Sequence, residues 1–509
     1  MKTWLVATVA LATAGLYYIY HYVLFRLDLK RIRELERTED APKAQQTSWK
    51  LGIDLYKNII QAVDDKRYLN LEQEMLEKHG DTFTFSMFGR TCIMTRDPEN
   101  IKAILASQFE EFRLPDLRYK SFLPMLGDGI FTHVYGGGKL GYPWQHSRSI
   151  LRPQFSKQQI QDLPVLESFV KNLIARIPPG KTIDLQPLFF KLTMDTATDF
   201  LFGQSVNSLL NNESSEIQFC ADFTRGTEIL MLRASLQEMY FLQKDTAELK
   251  ALSRRIRQFI QPFITKALEQ QASGKPTSSE SGGKYIFLEE AARAFNDPVR
   301  LGSEILNILL AGRDTTASLL STCFHQLARN KDVWHKLRNE IIDNIGNRTP
   351  TYEDIKSLTY LRYVLNETLR LYPVVPSNSR QANITTTLPR GGGPDGKSKV
   401  LVTKDMNVLY SVWSLHRTET GVFGQDPHLF NPSRWATIRP GWNYLPFNGG
   451  PRICLGQQYA LTEASYVIIR ILQKFKDIQN SDPNLEFIED MRLTLSVHGG
   501  ALVTLYPTD

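Results

Sequence analysis

Phe447-Asn-Gly-Gly-Pro-Arg-Ile-Cys-Leu-Gly456 gathers a thiol, a guanidinium and three glycines into ten residues. Cys454 lies just before Gln457–Phe475, a run with helical period. A thiolate at that point faces free N–H groups and the positive end of a helix dipole, both of which stabilise its charge. Arg452, two residues away, can meet a carboxylate, and Phe447 can shield the sulfur. Glycines 449, 450 and 456 let the backbone pass close to a bulky group. A buried structural cysteine in a glycine turn is the plainer alternative, and it is the reading for Cys92, Cys220 and Cys323. The four cysteines lie too far apart for a zinc site and are too few for a disulfide framework.

Other segments break their local rules in ways that suggest chemistry. Leu301–Leu320 is an apolar helical run interrupted by Ala311-Gly-Arg-Asp-Thr-Thr316, although an internal Gly costs a helix about 1 kcal/mol relative to Ala. Asp314, Thr315 and Thr316 are mediocre helix formers as well, so a buried helix gains nothing from the interruption. Glu367-Thr-Leu-Arg370 puts opposite charges at i and i+3 on one helix face, which taken alone is an ordinary exposed pair worth a few tenths of a kcal/mol. Trp144-Gln-His-Ser-Arg148 follows Pro143, a residue suited to a first helical position. Gly391-Gly-Gly-Pro-Asp-Gly-Lys-Ser398 satisfies the P-loop expression, but a strand-like run follows it where phosphate binding needs a helix, so it reads as a hairpin tip.

In these segments the chain resembles the cytochrome P450 monooxygenases. Phe447–Gly456 fits that family's haem-binding signature FxxGxRxCxG, in which a cysteine thiolate holds the iron. Ala311–Thr316 is similar to its AGx(D/E)T(T/S) segment, Glu367–Arg370 to its ExxR helix and Trp144–Arg148 to its WxxxR helix. The resemblance implies heme b (iron protoporphyrin IX) with Cys454 as axial thiolate. It implies propionate contacts from Trp144, Arg148, Arg380 and Arg452, cofactor contacts from Phe447 and Gly456, and proton delivery by Asp314 and Thr315. Glu367, Arg370 and Arg434 would form a structural network. Electrons would come from NADPH through a cytochrome P450 reductase, and the substrate would be a small apolar molecule. Thr387–Gly396, Gly127–Phe131, Ser147–Phe155 and Leu445–Ser465 look like the fungal alkane- and fatty-acid-hydroxylating branch, which implies terminal hydroxylation of long aliphatic chains. Ser433 in place of the usual acid, an inserted Gly136–Gly141 segment and Pro376-Ser-Asn-Ser-Arg380 depart from that branch. They keep open an alternative, oxidation of a fungal polyketide, terpenoid or toxin intermediate.

Elements that could position these groups can be read from periodicity. Helical runs cover 157–175, 190–204, 246–271, 297–328, 331–345 and 355–371. A hairpin is expected over Asp81–Thr95 around Gly89-Arg90, and strands over 399–412 and 493–506, the latter turning at His498-Gly499-Gly500. The fold class is therefore mainly α with small β-sheets (α+β), and the resemblance implies the cytochrome P450 fold. A net charge of +6 over 509 residues is too dilute for nucleic-acid binding. Trp4–Phe25 carries no charge and as a helix would span about 33 Å, enough for a hydrocarbon core. Cleavage after Ala10-Leu-Ala12 or Ala12-Thr-Ala14, as in a signal peptide, would leave a mostly apolar stub. The basic residues from Arg26 to Arg37 place the remainder in the cytosol. The expected organisation is a transmembrane anchor over 1–25, a juxtamembrane linker over 26–50 and a catalytic domain over 51–509, set on the endoplasmic reticulum membrane with its partner the lipid bilayer.

Overall fold

The computed structural model describes residues 2–48, 51–133, 143–155, 163–210, 215–236, 239, 246–419 and 421–508. The side chains of 2–10 and Pro143 lie outside that set, as does the 136–141 insertion. Helix α1 (Lys2–Glu36) runs through the charge-free stretch and on into the charged segment expected as a linker. Among the described residues no helix is long and apolar enough to cross a membrane, so the transmembrane anchor expected over 1–25 is not supported. From Leu11 onward α1 holds four tyrosines and a histidine before its first charge at Arg26, which dilutes its apolarity.

Helices α2 (Ile53–Asp64) and α3 (Tyr68–His79) precede the expected hairpin, β1 (Thr82–Met87) and β2 (Arg90–Thr95), which reverses at Phe88 and Gly89, with φ of 49° and 78°. Next come α4 (Pro98–Lys102), β3 (Phe112–Arg113), α5 (Asp116–Leu126), α6 (Pro143–Leu151), α7 (Leu163–Ala175) and β4 (Thr182–Asp184). The helical body continues with α8 (Gln186–Phe202), α9 (Ser215–Ser235), α10 (Thr246–Ala272) and α11 (Phe287–Ala292). Its axis is α12 (Pro298–Arg329), which starts where Asp297 caps Val299 N–H and Pro298 needs no donor. Helix α13 (Lys331–Ile345) matches its periodicity. The run at 355–371 becomes two helices, α14 (Tyr352–Ser357) and α15 (Thr359–Leu371). Leu358 between them takes φ −72° and ψ 97°, outside the helical region. Then follow β5 (Ser377–Ala382), β6 (Thr386–Gly392), β7 (Ser398–Val402), β8 (Asn407–Ser411), the short α16 (Val412–Leu415) and α17 (Gln457–Lys474). Strands β9 (Phe475–Asn480), β10 (Glu489–Met491), β11 (Leu495–Val497) and β12 (Leu502–Pro507) complete the described chain.

The sheets are small and lie around the helices, in the orders β1-β2-β8-β5-β3, β4-β12-β9, β6-β7 and β10-β11. The 493–506 run does not fold back on itself at its Gly-Gly turn. Its strands enter different sheets, β11 beside β10 and β12 between β4 and β9. Gly500 explains the crossing: a Cβ there would lie 2.1 Å from Asp184 Oδ2, while Asp184 Oδ1 accepts from Ala501 N–H at 2.8 Å. Between Leu301 and Ala328, α12 is buried throughout except at Ala311, Gly312 and Thr315, which share one partly open face.

A buried carboxyl at the head of β5 gives this fold a pH signature. Glu72 is 2% exposed and accepts from Ser377 Oγ at 2.5 Å. Burial pushes it up to about 7; hydroxyls of Ser377, Ser411 and Tyr68 oppose that push and Glu489 adds to it. An acid raised on folding stabilises the native state while protonated, so its contribution is whole below pH 4.5 and is lost as pH climbs through 7. Three buried histidines, 133, 325 and 416, act in the opposite direction because folding holds them neutral. The readout is therefore a difference. Denaturant titrations at pH 5 and pH 8 should show wild type losing roughly 2–3 kcal/mol relative to Glu72→Gln. Equal pH dependence in the two proteins would refute this account.

Candidate active site

The Cys454 loop is held from three sides before its sulfur is presented. Leu445 N–H donates to His416 Nε2 at 2.9 Å, and Cys454 N–H donates to Phe447 O at 3.0 Å. Asn448, with φ 64°, accepts from Tyr410 Oη of β8 at 3.1 Å. Gly450 (φ 68°) passes so close to α4's continuation that a Cβ would lie 1.8 Å from Leu105 O. These contacts present Cys454 three residues ahead of α17, and its side chain is exposed. Dense protein surrounds it nonetheless, which pushes its pKa up; the Gly456 amide and Arg148 pull it back towards the thiolate. The other three cysteines differ: burial pushes each to about 12.

Beside the loop four guanidinium groups converge. Arg452 lies over the Trp144 ring at 4.4 Å and Arg148 at 5.7 Å. Burial and repulsion from Arg380, Arg118 and Arg148 press Arg452 down to about 8, and burial next to Arg380 presses Arg118 down to about 10. Their hydrogen bonds include backbone carbonyls: Arg118 to Phe131, Arg148 to Ile453, Arg380 to Ser379 and Arg452 to His133. A carbonyl accepts a hydrogen bond but does not cancel a charge. His133 Nε2, in a residue 5% exposed, is buried with no hydrogen-bond partner. Four cations crowded this way, Arg380 buried and the others partly so, favour an anion beside them. The two propionates of a haem would fit the need, and the nearby Cys454 thiol is of the type that would hold its iron.

Glu367, Arg370 and Arg434 meet as the ExxR reading expects, and more closely than sequence can show. Glu367 and Arg370 are fully buried and pair through two bonds of 2.8 Å. Arg434 Nε, Asn431 N–H and Trp435 Nε1 each add a donor to Glu367 at 2.9 Å. Arg370 places its remaining N–H groups on the carbonyls of His416, Pro427 and Leu429. His416 then links this network to the cysteine loop, donating through Nδ1 to Arg370 O while its Nε2 receives Leu445 N–H. Burial holds that imidazole neutral, with pKa about 3.

On α12, Thr315 Oγ1 donates to Ala311 O at 2.6 Å, while Asp314 pairs with Arg313 at 3.0 Å. The acid and the hydroxyl do not bond one another. Burial raises the Asp314 carboxyl, against the pull of Arg313 and Arg492. Arg313 is itself buried, donates to Thr224 and lies over Phe190 and Phe223. Arg118, His133, Arg313 and His416 were not picked out from sequence. An arginine inside an apolar helix was the one available signal, and it pointed to Arg313.

A helical body with small sheets, a thiol presented at a helix start and a ring of arginines beside it define a haem-thiolate protein. The sequence profile of the cytochrome P450 family matches residues 50–498, and the chain belongs to that family. It is 41% identical over 504 residues to Cytochrome P450 52A13 of Debaryomyces hansenii, covering 95% of each chain. It is 41% identical over 459 residues to Cytochrome P450 monooxygenase himC of Aspergillus japonicus, covering 89% of this chain and 81% of that one. With Cytochrome P450 52A3-B of Candida maltosa it shares 44% over 432 residues, 81% and 80% of the two chains. The protein is thus a haem-dependent monooxygenase, an oxidoreductase of the fungal branch its motifs resemble.

Proposed function

We propose that the Cys454 thiolate would hold the haem iron and that the protein hydroxylates long-chain alkanes or fatty acids near their end. The observation that carries the haem assignment is the exposed Cys454 thiol, its sulfur facing the Gly456 amide, beside the crowded arginines. A bound haem would supply the O2 activation, fed by reductase-delivered electrons, that monooxygenation of a C–H bond needs. The chain's own tasks are to hold, orient and supply protons. Trp144, Arg148, Arg380 and Arg452, joined by Arg118, hold the propionates, and Phe447 and Gly456 line the sulfur side. Thr315 opens its hydroxyl onto the partly exposed face of α12, and Asp314, released from Arg313, carries protons inward from solvent.

Substrate class is read from the Thr387–Gly396 and Leu445–Ser465 segments, which support the aliphatic reading over a secondary metabolite. Helix α1 serves as the attachment to the endoplasmic reticulum bilayer: Leu16, Tyr17, Tyr18, Ile19 and Tyr20 are all more than half exposed, covering every side of the helix. The electron donor is an NADPH-dependent reductase on the same membrane. Purified holoenzyme, reductase and NADPH should convert dodecanoic acid or hexadecane to the terminal alcohol. Absence of any terminally oxidised product with both would overturn the substrate reading.

Asp314→Asn keeps the shape and a hydrogen bond to Arg313 but cannot carry a proton. It should lower turnover by about 100-fold with substrate binding intact, and raise NADPH consumed per product. Unchanged turnover and coupling would remove Asp314 from the proton route.

A further inference from the structure

The Gly391–Ser398 segment, which mimics a P-loop, has a different use in the fold. It forms the turn of the β6–β7 hairpin, and the chain leaving α1 threads against it. Helix α1 ends without slack: Arg37 takes φ 54° and Thr38 N–H bonds back to Arg33 O at 3.0 Å, a reversal that closes the helix. Thr38 at once forms a parallel bridge with Lys399, and Glu39 N–H donates to Lys399 O at 2.9 Å. Gly393 N–H donates to Asp40 O at 3.2 Å. Side chains fasten the same junction: Lys399 to Glu36 at 2.8 Å, Ser398 Oγ to Glu39 at 2.7 Å, and Arg33 to Asp40 at 2.9 Å. Three residues on, Lys43 bridges Thr84 of β1, with backbone bonds of 2.8 Å on either side.

The glycines make this passage possible. A Cβ on Gly392 would stand 2.7 Å from both Glu39 O and Lys399 O, and one on Gly393 2.6 Å from Glu39 Oε2. Gly391 has φ 110°, and its Cβ would meet Thr82 Cβ at 2.5 Å. The hairpin is in turn tied to the domain by Asn100, fully buried, which bonds both Arg390 N–H at 2.9 Å and Arg390 O at 3.0 Å.

We propose that Gly391–Gly393 form a collar that fixes the direction in which α1 leaves the catalytic part, so that the helix is a rigid strut and not a tether. A tether would need several unpaired residues between helix and domain, and each backbone position from Thr38 to Asp40 is engaged with the hairpin. With α1 attached to a bilayer, the collar would set the angle at which the catalytic part meets the membrane. That corollary rests on the membrane reading above; the collar itself does not.

The test uses full-length holoenzyme in detergent micelles, where no bilayer imposes an orientation. Nitroxide labels at Leu27→Cys on α1 and Glu353→Cys on α14, both exposed, report the distance between strut and body. Wild type should give one narrow distribution. Gly392→Val, and separately a short Gly-Ser insertion between Arg37 and Thr38, should at least double its width, by about twofold or more, while haem absorbance stays as in wild type. The insertion leaves the hairpin sequence intact, so it decides the matter if Gly392→Val folds poorly. A wild-type distribution as broad as that of the insertion variant overturns the collar, as does one that stays narrow after the insertion.

Discussion

Cys454→Ser should abolish the red-shifted absorption that reduced, CO-treated haem shows opposite a thiolate, and lower monooxygenase turnover by more than about 100-fold. The exchange is small in volume. What changes is charge: a serine hydroxyl does not ionise near neutrality, whereas the Gly456 amide and Arg148 are arranged around a sulfur that can. The side chain is exposed and its loop is held by backbone bonds at Leu445 and at Cys454 N–H, so helix content and thermal stability of the haem-free protein should not move. No other cysteine can substitute. Cys92 and Cys323 are buried core residues and Cys220 is partly buried, each with its thiol pushed to about 12. A Cys454→Ser protein that keeps the thiolate-type spectrum would end the assignment.

What sequence could show here depended on how local each signal was. Apolar spacing located α12 and α13, whereas the Thr351/Asp354 capping box that starts α14 at Tyr352 lies ahead of the 355–371 run that periodicity shows. The motif residues were legible because each sits within a short stretch of chain. Arg118 and His133 were not, since only tertiary packing brings them to Arg452. The split at Leu358 and the separate sheets of β11 and β12 depend on a single ψ value and on one close approach at Gly500, neither visible in a periodicity. The 26–50 segment looked like a linker because charged, aperiodic sequence usually is one. Its continuation as helix to Glu36, and its docking from Thr38, come from partners some 360 residues away.

Glu367→Ala should be as damaging as loss of the cysteine, by a different route. The carboxylate receives five hydrogen bonds at 2.8–2.9 Å, from Arg370, Arg434, Asn431 and Trp435. Without it, the fully buried Arg370 keeps its charge but loses its counterion, a situation that costs about 3–5 kcal/mol. Truncating the arginine as well is no remedy here, because the carbonyls of His416, Pro427 and Leu429 would lose their donors. The damage also has a path to the haem side: a shifted Arg370 backbone releases His416 Nδ1, and His416 Nε2 is what holds Leu445 at the head of the cysteine loop. Denaturant midpoints and haem retention should therefore fall together in Glu367→Ala, whereas Cys454→Ser alters the spectrum with little change in the midpoint of the haem-free chain. Glu367→Gln sharpens the comparison, since its amide offers one acceptor oxygen and in either orientation turns a donor towards the Arg370 guanidinium and a further N–H donor. It should recover only a minor part of the lost stability; full recovery would mean that shape, and not charge, holds this network together.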